Sequence, residues 1–142
     1  KYYCKHYSHL NPSSPTIEWD LDEGDIEFLP AMKTDITLSH KGKILIIDTK
    51  YYSRTMQVNS RFDSRTIHSN NLYQIYAYVK NMDKVKTGNV SGLLLYAKTD
   101  EEILPNNDYV IGGNRIGVKT LDLNCDFSKI TEQLNTIAEK YL

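Results

Sequence analysis

Hydrophobic and polar residues follow two different periods along the chain. Residues 43–52 are the most strand-like stretch, rich in isoleucine and carrying Thr and Tyr, and residues 31–39 form a second predicted strand. A turn at residues 40–42, in which Gly42 can take a positive φ, joins the two into a β-hairpin. Residues 91–97, SGLLLYA, are predicted to form a buried strand because this apolar run is short and flanked by turn residues.

Two other stretches have the spacing of amphipathic helices. Ser69 is the predicted N-cap of a helix that continues to about Asn81, and Asp126 or Ser128 caps a helix at the end of the chain. Each helix carries apolar residues at every third or fourth position, so that one stripe is buried. The stripes consist of Leu72, Ile75, Tyr76 and Val79 in the first helix and of Ile130, Leu134, Ile137 and Tyr141 in the second.

The rest of the chain contains shorter elements. Residues 1–7 resemble the last turns of a helix, and residues 16–19 alternate as a short strand does. Short strands are also expected near residues 109–111 and 115–122. Residues 53–68 are polar and lack periodicity, so we expect a mobile loop there.

The order of these elements predicts the fold class. The second strand of the hairpin is followed by a helix and then by the SGLLLYA strand. Such a passage requires a right-handed crossover between two parallel strands. We therefore expect an α/β protein in which helices flank a mixed sheet.

Composition indicates one soluble domain. The chain has 142 residues, of which 40% are hydrophobic and 25% charged, as in an average globular protein. A chain of this length can bury a stable core without disulfides or structural metals. The formal net charge of −1 provides no global basic field, so a nucleic-acid partner requires a local patch. The two cysteines lie far apart, which argues against a zinc site or disulfide framework and favours the cytoplasm. No apolar run is long enough to cross a bilayer, so no membrane partner is expected.

The predicted hairpin carries two carboxylates and a lysine. Side chains alternate along a strand, so Asp48 and Lys50 point to one face at the end of an apolar strand. Asp35 lies on the neighbouring predicted strand, where the turn brings it near Asp48. Two carboxylates facing one point suit Mg²⁺, which takes oxygen ligands and keeps several waters. Such an ion neutralises a scissile phosphate and activates water, which Lys50 can orient.

The same residues are compatible with a plain surface ion pair, because D-x-K at a strand end is a common pattern. Gln74 and Tyr78 favour the functional interpretation. They are four residues apart on the predicted helix, so they project from one side of it, flanking the apolar stripe. A glutamine and a tyrosine placed there can hold a phosphate or position a water molecule.

The order of these motif residues resembles that of the PD-(D/E)XK nuclease superfamily: Asp35, then Asp48-Thr49-Lys50, then Gln74-x-x-x-Tyr78. The last of these elements is like that of the RecB-like branch of the superfamily. Four sequence blocks are similar to the nuclease domain of McrC, the endonuclease subunit of McrBC-type 5-methylcytosine-specific restriction systems. They are LPAMKTDITL, IIDTKYY, NLYQIYAYV and GLLLYA. The opening KYYCKHY resembles the end of that family's first core helix. We therefore expect residues 1–142 to be a single nuclease domain, the C-terminal part of a longer chain in which this helix starts earlier and carries an acidic residue.

The resemblance implies roles for individual residues. Thr34 stands where the superfamily has proline, a departure that leaves the Asp35 carboxylate unaffected. The implied catalytic residues are Asp35, Asp48, Lys50, Gln74 and Tyr78, and the implied metal ligands are Asp35, Asp48 and the backbone carbonyl of Thr49.

By the same resemblance, the chain is expected to be a Mg²⁺-dependent DNA endonuclease domain, with Mn²⁺ able to replace Mg²⁺. Its expected partners are DNA and a McrB-type AAA+ GTPase, which alone uses GTP; the chain itself has no Walker motif. If the upstream acid helps to bind metal, the isolated fragment is expected to be weak or inactive. Two alternatives stay open: a catalytically silent nucleic-acid-binding or assembly module with a nuclease fold, and a RecB-like exonuclease or repair nuclease.

Several residues outside the motif are candidate DNA contacts. Arg54, Arg61 and Arg65 can reach phosphates, although polar loops are as often basic for solubility alone. Tyr52 follows the motif lysine and can stack on a sugar or a base. The histidines lack metal-ligand spacing and are expected at the surface, and His68 is set apart by its place directly before the predicted helix.

Overall fold

The computed structural model describes residues 1–52, 56–59, 64–102 and 104–142. Its helices are α1 (Tyr2–His6), α2 (Ser69–Met82) and α3 (Phe127–Tyr141), with a 3₁₀ turn at Ser8–Leu10. Its strands are β1 (Thr16–Ile17), β2 (Met32–Lys33), β3 (Ile36–His40), β4 (Lys43–Lys50), β5 (Met56–Asn59), β6 (Ser64–Ile67), β7 (Val90–Ala97), β8 (Asn107–Ile111) and β9 (Asn114–Leu121).

A five-stranded mixed sheet forms the centre of the fold, in the order β3-β4-β7-β9-β8. Its three inner strands run parallel, because β4 pairs with β7 and β7 pairs with β9 in parallel register. Each outer strand is antiparallel to its neighbour. The predicted α/β class and the parallel crossover through α2 are therefore confirmed.

The sheet separates two apolar cores, one beneath α2 and one beneath α3. Along β4, Ile46 packs in the α2 core, whereas Leu45 and Ile47 pack in the α3 core. This alternation is why the strand reads as a continuous apolar run, since both of its faces are buried. Helix α2 approaches β7 closely at Gly92, where an added Cβ would lie 2.7 Å from side-chain atoms of Ile75 and Val79.

Three predicted boundaries were wrong. The strand expected over residues 31–39 is divided into β2 and β3 by a bend at Thr34 and Asp35. The loop expected over residues 53–68 contains the antiparallel pair β5–β6, whose strands have only four residues each, too few for a clear periodic signal. The N-cap of α2 is His68 rather than Ser69.

The buried carboxylate of Asp83 ties the end of α2 to the sheet. It accepts hydrogen bonds from the Thr87 amide at 2.9 Å, the Thr87 hydroxyl at 2.8 Å and the Gly88 amide at 2.9 Å. The Asn114 side-chain amide, at the start of β9, donates a fourth at 2.9 Å. Burial raises the pKa of Asp83, but the hydrogen bonds from Asn114, Thr87 and Gly88 outweigh it and lower the pKa to about 2.

Asp83→Ala should lower the free energy of unfolding at neutral pH by about 2 kcal/mol, because the folded state favours the ionised carboxylate. The pKa is lower in the folded than in the unfolded chain, so this stabilisation exists above the ordinary value of 3.8 and is lost as the pH falls towards about 2. Urea unfolding at neutral pH and at about pH 3 measures both effects. The exposed Asp100 provides the control, since Asp100→Ala should change stability by less than about 0.5 kcal/mol.

Candidate active site

Asp48 and Lys50 lie at the C-terminal end of β4 on the face that α2 covers. The Lys50 ammonium is 2.8 Å from Asp48 Oδ2 and donates a hydrogen bond to Gln74 Oε1 at 2.8 Å. The Gln74 side-chain amide in turn donates to the Tyr78 hydroxyl at 3.0 Å. Four of the five predicted catalytic side chains thus form one continuous chain of contacts from β4 to α2.

Asp48 is a buried carboxylate with an incompletely satisfied oxygen. The residue is 3% exposed, and its Oδ2 accepts no well-aligned hydrogen bond from the described residues despite the nearby ammonium. Burial raises the pKa of Asp48, Lys50 partly offsets this, and the Asp35 charge adds to the increase. A buried charge is costly even beside one ammonium group, so a further cation at this carboxylate would stabilise its ionised form.

Asp35 lies in the bend directly before β3, not on the strand as predicted. Ile36 pairs with Ile47, so Asp35 comes opposite Asp48 one position further along the hairpin. Its Oδ2 accepts hydrogen bonds from both the amide and the hydroxyl of Thr49, each at 2.8 Å. Asp35 is exposed, and its other oxygen accepts no hydrogen bond within the described part of the chain.

The donor set fits Mg²⁺. Among the described residues, no three Asp, Glu, His or Cys side chains are grouped so that they could hold a metal. Mg²⁺ is commonly bound through one or two carboxylates with the remaining positions left to water and substrate phosphate. Asp35 and Asp48 meet that requirement, since each offers a carboxylate at neighbouring positions of the hairpin. The Thr49 carbonyl stays a predicted third ligand.

Tyr78 occupies a different position from the predicted one. It is 7% exposed and belongs to the core beneath α2, whereas the sequence indicated that it flanks the apolar stripe. A tyrosine can pack its ring in a core while its hydroxyl reaches a polar neighbour, here Gln74. The hydroxyl is therefore held in place by the packing of its own ring.

Asn71 and Tyr96 form a second polar layer that sequence reasoning missed. The buried Asn71 side chain donates to the Tyr96 hydroxyl at 2.9 Å and accepts from the Tyr52 hydroxyl at 3.2 Å. Tyr96 pairs with Lys50 across the parallel strands. Burial raises the pKa of Tyr96, with the Asp48 charge among the further causes, so this hydroxyl stays protonated beside the site. One signal was available, since Asn71 precedes Gln74 by three residues and shares its side of the helix.

The predicted DNA contacts are only partly described. Tyr52 is half-exposed, and its ring lies 4.9 Å from the His68 imidazole, at the edge of the site. Arg54 and Arg61 lie outside the described residues, as does the side chain of Arg65, whose backbone belongs to β6. Of the four histidines, His6 and His9 are exposed and the other two are half-buried.

Tyr78→Phe should reduce catalysis while preserving the fold. The ring stays packed, but the Gln74 amide loses the hydroxyl that fixes it, and Lys50 is then held less well. For the DNA cleavage predicted from the sequence, we expect kcat to fall about tenfold with little change in KM, because positioning is lost rather than binding. Tyr76→Phe, on the same helix, is the matched control and should leave kcat unchanged. Equal effects of the two substitutions would contradict the role assigned to Tyr78.

No helix within the described ranges is both long and apolar enough to span a bilayer.

Comparison with known proteins places the chain in a family. Residues 16–97, which include all five predicted catalytic residues, match the sequence profile of the family described as McrBC 5-methylcytosine restriction system component. A relative from Escherichia coli K12, the type IV methyl-directed restriction enzyme EcoKMcrBC, is 33% identical over 135 residues, which cover 93% of this chain. The chain spans 38% of the length of that relative. The predicted resemblance to McrC of McrBC-type systems is thereby confirmed, and the chain belongs to the McrBC restriction-system family.

Proposed function

We propose that this chain is the Mg²⁺-dependent DNA endonuclease domain of a modification-dependent restriction system, a McrC-type subunit with PD-(D/E)XK chemistry. The observation that carries the proposal is Asp48, a buried carboxylate at the end of a central strand whose Oδ2 has the Lys50 ammonium at 2.8 Å as its ion-pair partner. Lys50 lies 2.8 Å from Asp48 and Asp35 comes opposite Asp48 in the hairpin, so two carboxylates and an ammonium group are available for phosphodiester hydrolysis.

In this proposal Asp35 and Asp48 would hold Mg²⁺, which supplies charge neutralisation at the scissile phosphate and a more acidic attacking water. Lys50 carries three N–H donors. One is directed to Gln74 and a second lies beside Asp48, so the third is available to a water molecule or a phosphate oxygen. Gln74 and Tyr78 fix the ammonium, which reduces the entropy that must be lost when the substrate binds.

The second layer supports this geometry from the interior of the fold. Tyr96 and Asn71 are both buried, and they close the space behind the end of β4 to water. A dry environment strengthens the interaction of Asp48 with a cation, because the local dielectric constant is low. We assign Asn71 and Tyr96 as positioning residues of the proposed active site.

Metal binding should depend on pH through Asp48. Its raised pKa means that a proton competes with metal at a higher pH than at an ordinary aspartate, so Mn²⁺ affinity should decrease steadily as the solution is acidified. Without metal, ionised Asp48 destabilises the fold, so stability contributed by its protonated form is lost as the pH rises through the raised pKa. Calorimetric Mn²⁺ titration and thermal unfolding, at a series of pH values from the ordinary carboxyl pKa of 3.8 upwards, measure the two effects. An Mn²⁺ affinity independent of pH would contradict the assignment of Asp48 as a ligand.

Plasmid cleavage tests the proposed function directly. The full-length subunit that contains this domain is combined with its AAA+ GTPase partner, GTP and Mg²⁺, and supplied with methylated or unmethylated supercoiled plasmid. We expect the methylated plasmid alone to be linearised. Degradation of linear DNA with the closed circle untouched would indicate an exonuclease, and DNA binding without cleavage at any metal concentration would indicate a silent module.

A further inference from the structure

A groove of about 700 Å³ lies on the face of the sheet opposite the proposed active site. It is bounded by β8, β9 and α3. Val118 packs in the core beneath α2, so its neighbour Lys119 points to the α3 side, and Leu121 does the same. None of the five predicted catalytic residues lines this groove.

Three cations converge on one carboxylate at this groove. Asp108 Oδ2 lies 2.6 Å from the Lys140 ammonium, 3.1 Å from that of Lys119 and 3.7 Å from the Arg115 guanidinium. The Tyr141 hydroxyl donates a hydrogen bond to the other oxygen. The cluster therefore holds an excess of two positive charges. The Lys98–Asp122 pair, also in the groove, is neutral and leaves that excess uncompensated.

This arrangement exceeds what a structural clamp needs. A single cation would suffice to tie Asp108 on β8 to α3, whereas three cations repel one another, and the Lys119 side chain is only 14% exposed. Lys119 and Lys140 each donate one hydrogen bond to Asp108 and keep further N–H donors. Both line the groove, with Arg115 adding charge from behind, where it stacks 4.5 Å from the ring centre of Tyr141.

The rest of the groove combines polar side chains, such as Asn106, Gln133 and Thr136, with an apolar wall. Leu104, Pro105, Leu121 and Ile137 line it next to the ammonium groups. An apolar wall beside unsatisfied cationic donors fits a phosphate group attached to a less polar body, such as a sugar or a base.

We propose that this groove is a second ligand site, which binds a phosphate group through Lys119 and Lys140 and accommodates the attached nucleoside on the apolar wall. The phosphate belongs either to a free nucleotide or to a DNA strand. The site is separate from the proposed nuclease centre and does not depend on its activity.

NMR titration with inorganic phosphate, without divalent metal and in an Asp48→Asn background, tests the site independently of cleavage. The amides of Lys119, Thr120 and Lys140 should shift. Lys140→Gln should weaken phosphate binding about fivefold, because one charged donor is lost, and Asp108→Asn should strengthen it by a similar factor, because the competing carboxylate charge is removed. Lys84→Gln, which removes a lysine outside the groove, is the control and should have no effect.

The two substitutions are expected to change the phosphate affinity in opposite directions, which makes the proposal falsifiable. Unshifted groove amides, or changes of the same sign for Lys140→Gln and Asp108→Asn, would overturn it. Lys140 is half-exposed, so Lys140→Gln should fold. If Asp108→Asn does not fold, the test is the comparison of the two lysine variants: phosphate binding should be weakened in Lys140→Gln and unchanged in Lys84→Gln.

Two further probes identify the source of the phosphate. A deoxynucleoside monophosphate that shifts Leu121 and Ile137, with a short duplex having no effect, indicates a free nucleotide. A duplex that shifts the same residues indicates the DNA backbone. Its binding constant should then fall by about 0.9 log units per phosphate contact for each tenfold increase in salt concentration. Binding of inorganic phosphate with neither probe bound would identify an adventitious ion only and overturn the proposed ligand.

Discussion

Asp48→Asn should abolish metal-dependent DNA cleavage, lowering the rate by about 10³-fold or more at saturating Mg²⁺. Asparagine has nearly the same shape as aspartate, so the side chain stays packed at the end of β4, but it carries no charge for a cation. Nicking of supercoiled plasmid by the full-length subunit and its GTPase partner measures the loss. Calorimetry with Mn²⁺ should show the metal site gone in the same variant.

Asp100→Asn is the matched control for this substitution. Asp100 is exposed and lies in the loop after β7. Because β4 and β7 are parallel, Asp100 and Asp48 lie towards the same end of the sheet, so the loss of one negative charge at this end is common to both variants. We expect Asp100→Asn to cleave at the unsubstituted rate. Cleavage by Asp48→Asn within about tenfold of that rate would show that Asp48 does not hold the catalytic ion.

The sequence was most informative where the chemistry is local. The side-chain period of a strand has only two phases, so Asp48 and Lys50 had to share a face once β4 was recognised. The four-residue spacing of Gln74 and Tyr78 likewise required one side of a helix. The crossover rule then made β4 and β7 parallel, and in the structure α2 covers the face on which Lys50 meets Gln74.

The bend before β3 was not predictable because distant residues make it. The Thr34 amide donates to the Pro15 carbonyl at 3.1 Å, and Ser13 and Thr37 exchange two backbone hydrogen bonds. These contacts pair β2 with β1 and divide the predicted strand at Asp35. As a result Asp35 turns its side chain back to Thr49 at the surface, an arrangement that strand alternation alone does not indicate.

Both polar networks outside the motif also depend on long-range pairing. Asn71 meets Tyr96 only because α2 covers the end of β7, 25 residues away in sequence. The charges around Asp108 come from β8, β9 and α3, and nothing in their sequence spacing indicates that they converge. Local patterns fix which face a side chain takes, whereas partners across the sheet depend on the assembled topology.

Lys50→Met should lower the cleavage rate by about 10²- to 10³-fold while leaving the metal site able to bind Mn²⁺. Methionine fills the space of the aliphatic stem but supplies no donor to a water molecule or a phosphate oxygen. Lys50→Met thus tests the chemical step separately from metal binding, whereas Asp48→Asn should remove both. Rates of plasmid nicking and calorimetric Mn²⁺ titration, measured on the same preparation, distinguish the two outcomes.

Stability provides an independent readout of the same substitution. Lys50 partly offsets the rise that burial causes in the pKa of Asp48, so its removal should raise that pKa further and destabilise the metal-free protein at neutral pH. Mn²⁺ should then stabilise Lys50→Met more than the unsubstituted protein, because the cation takes over the charge that Lys50 supplied. Lys43→Met, at the exposed start of the same strand, should change neither cleavage nor the Mn²⁺-induced shift in Tm. A Lys50→Met variant that changed the Mn²⁺-induced shift in Tm but cleaved at the unsubstituted rate would show that Lys50 is a structural partner of Asp48 and not the residue that acts on the substrate.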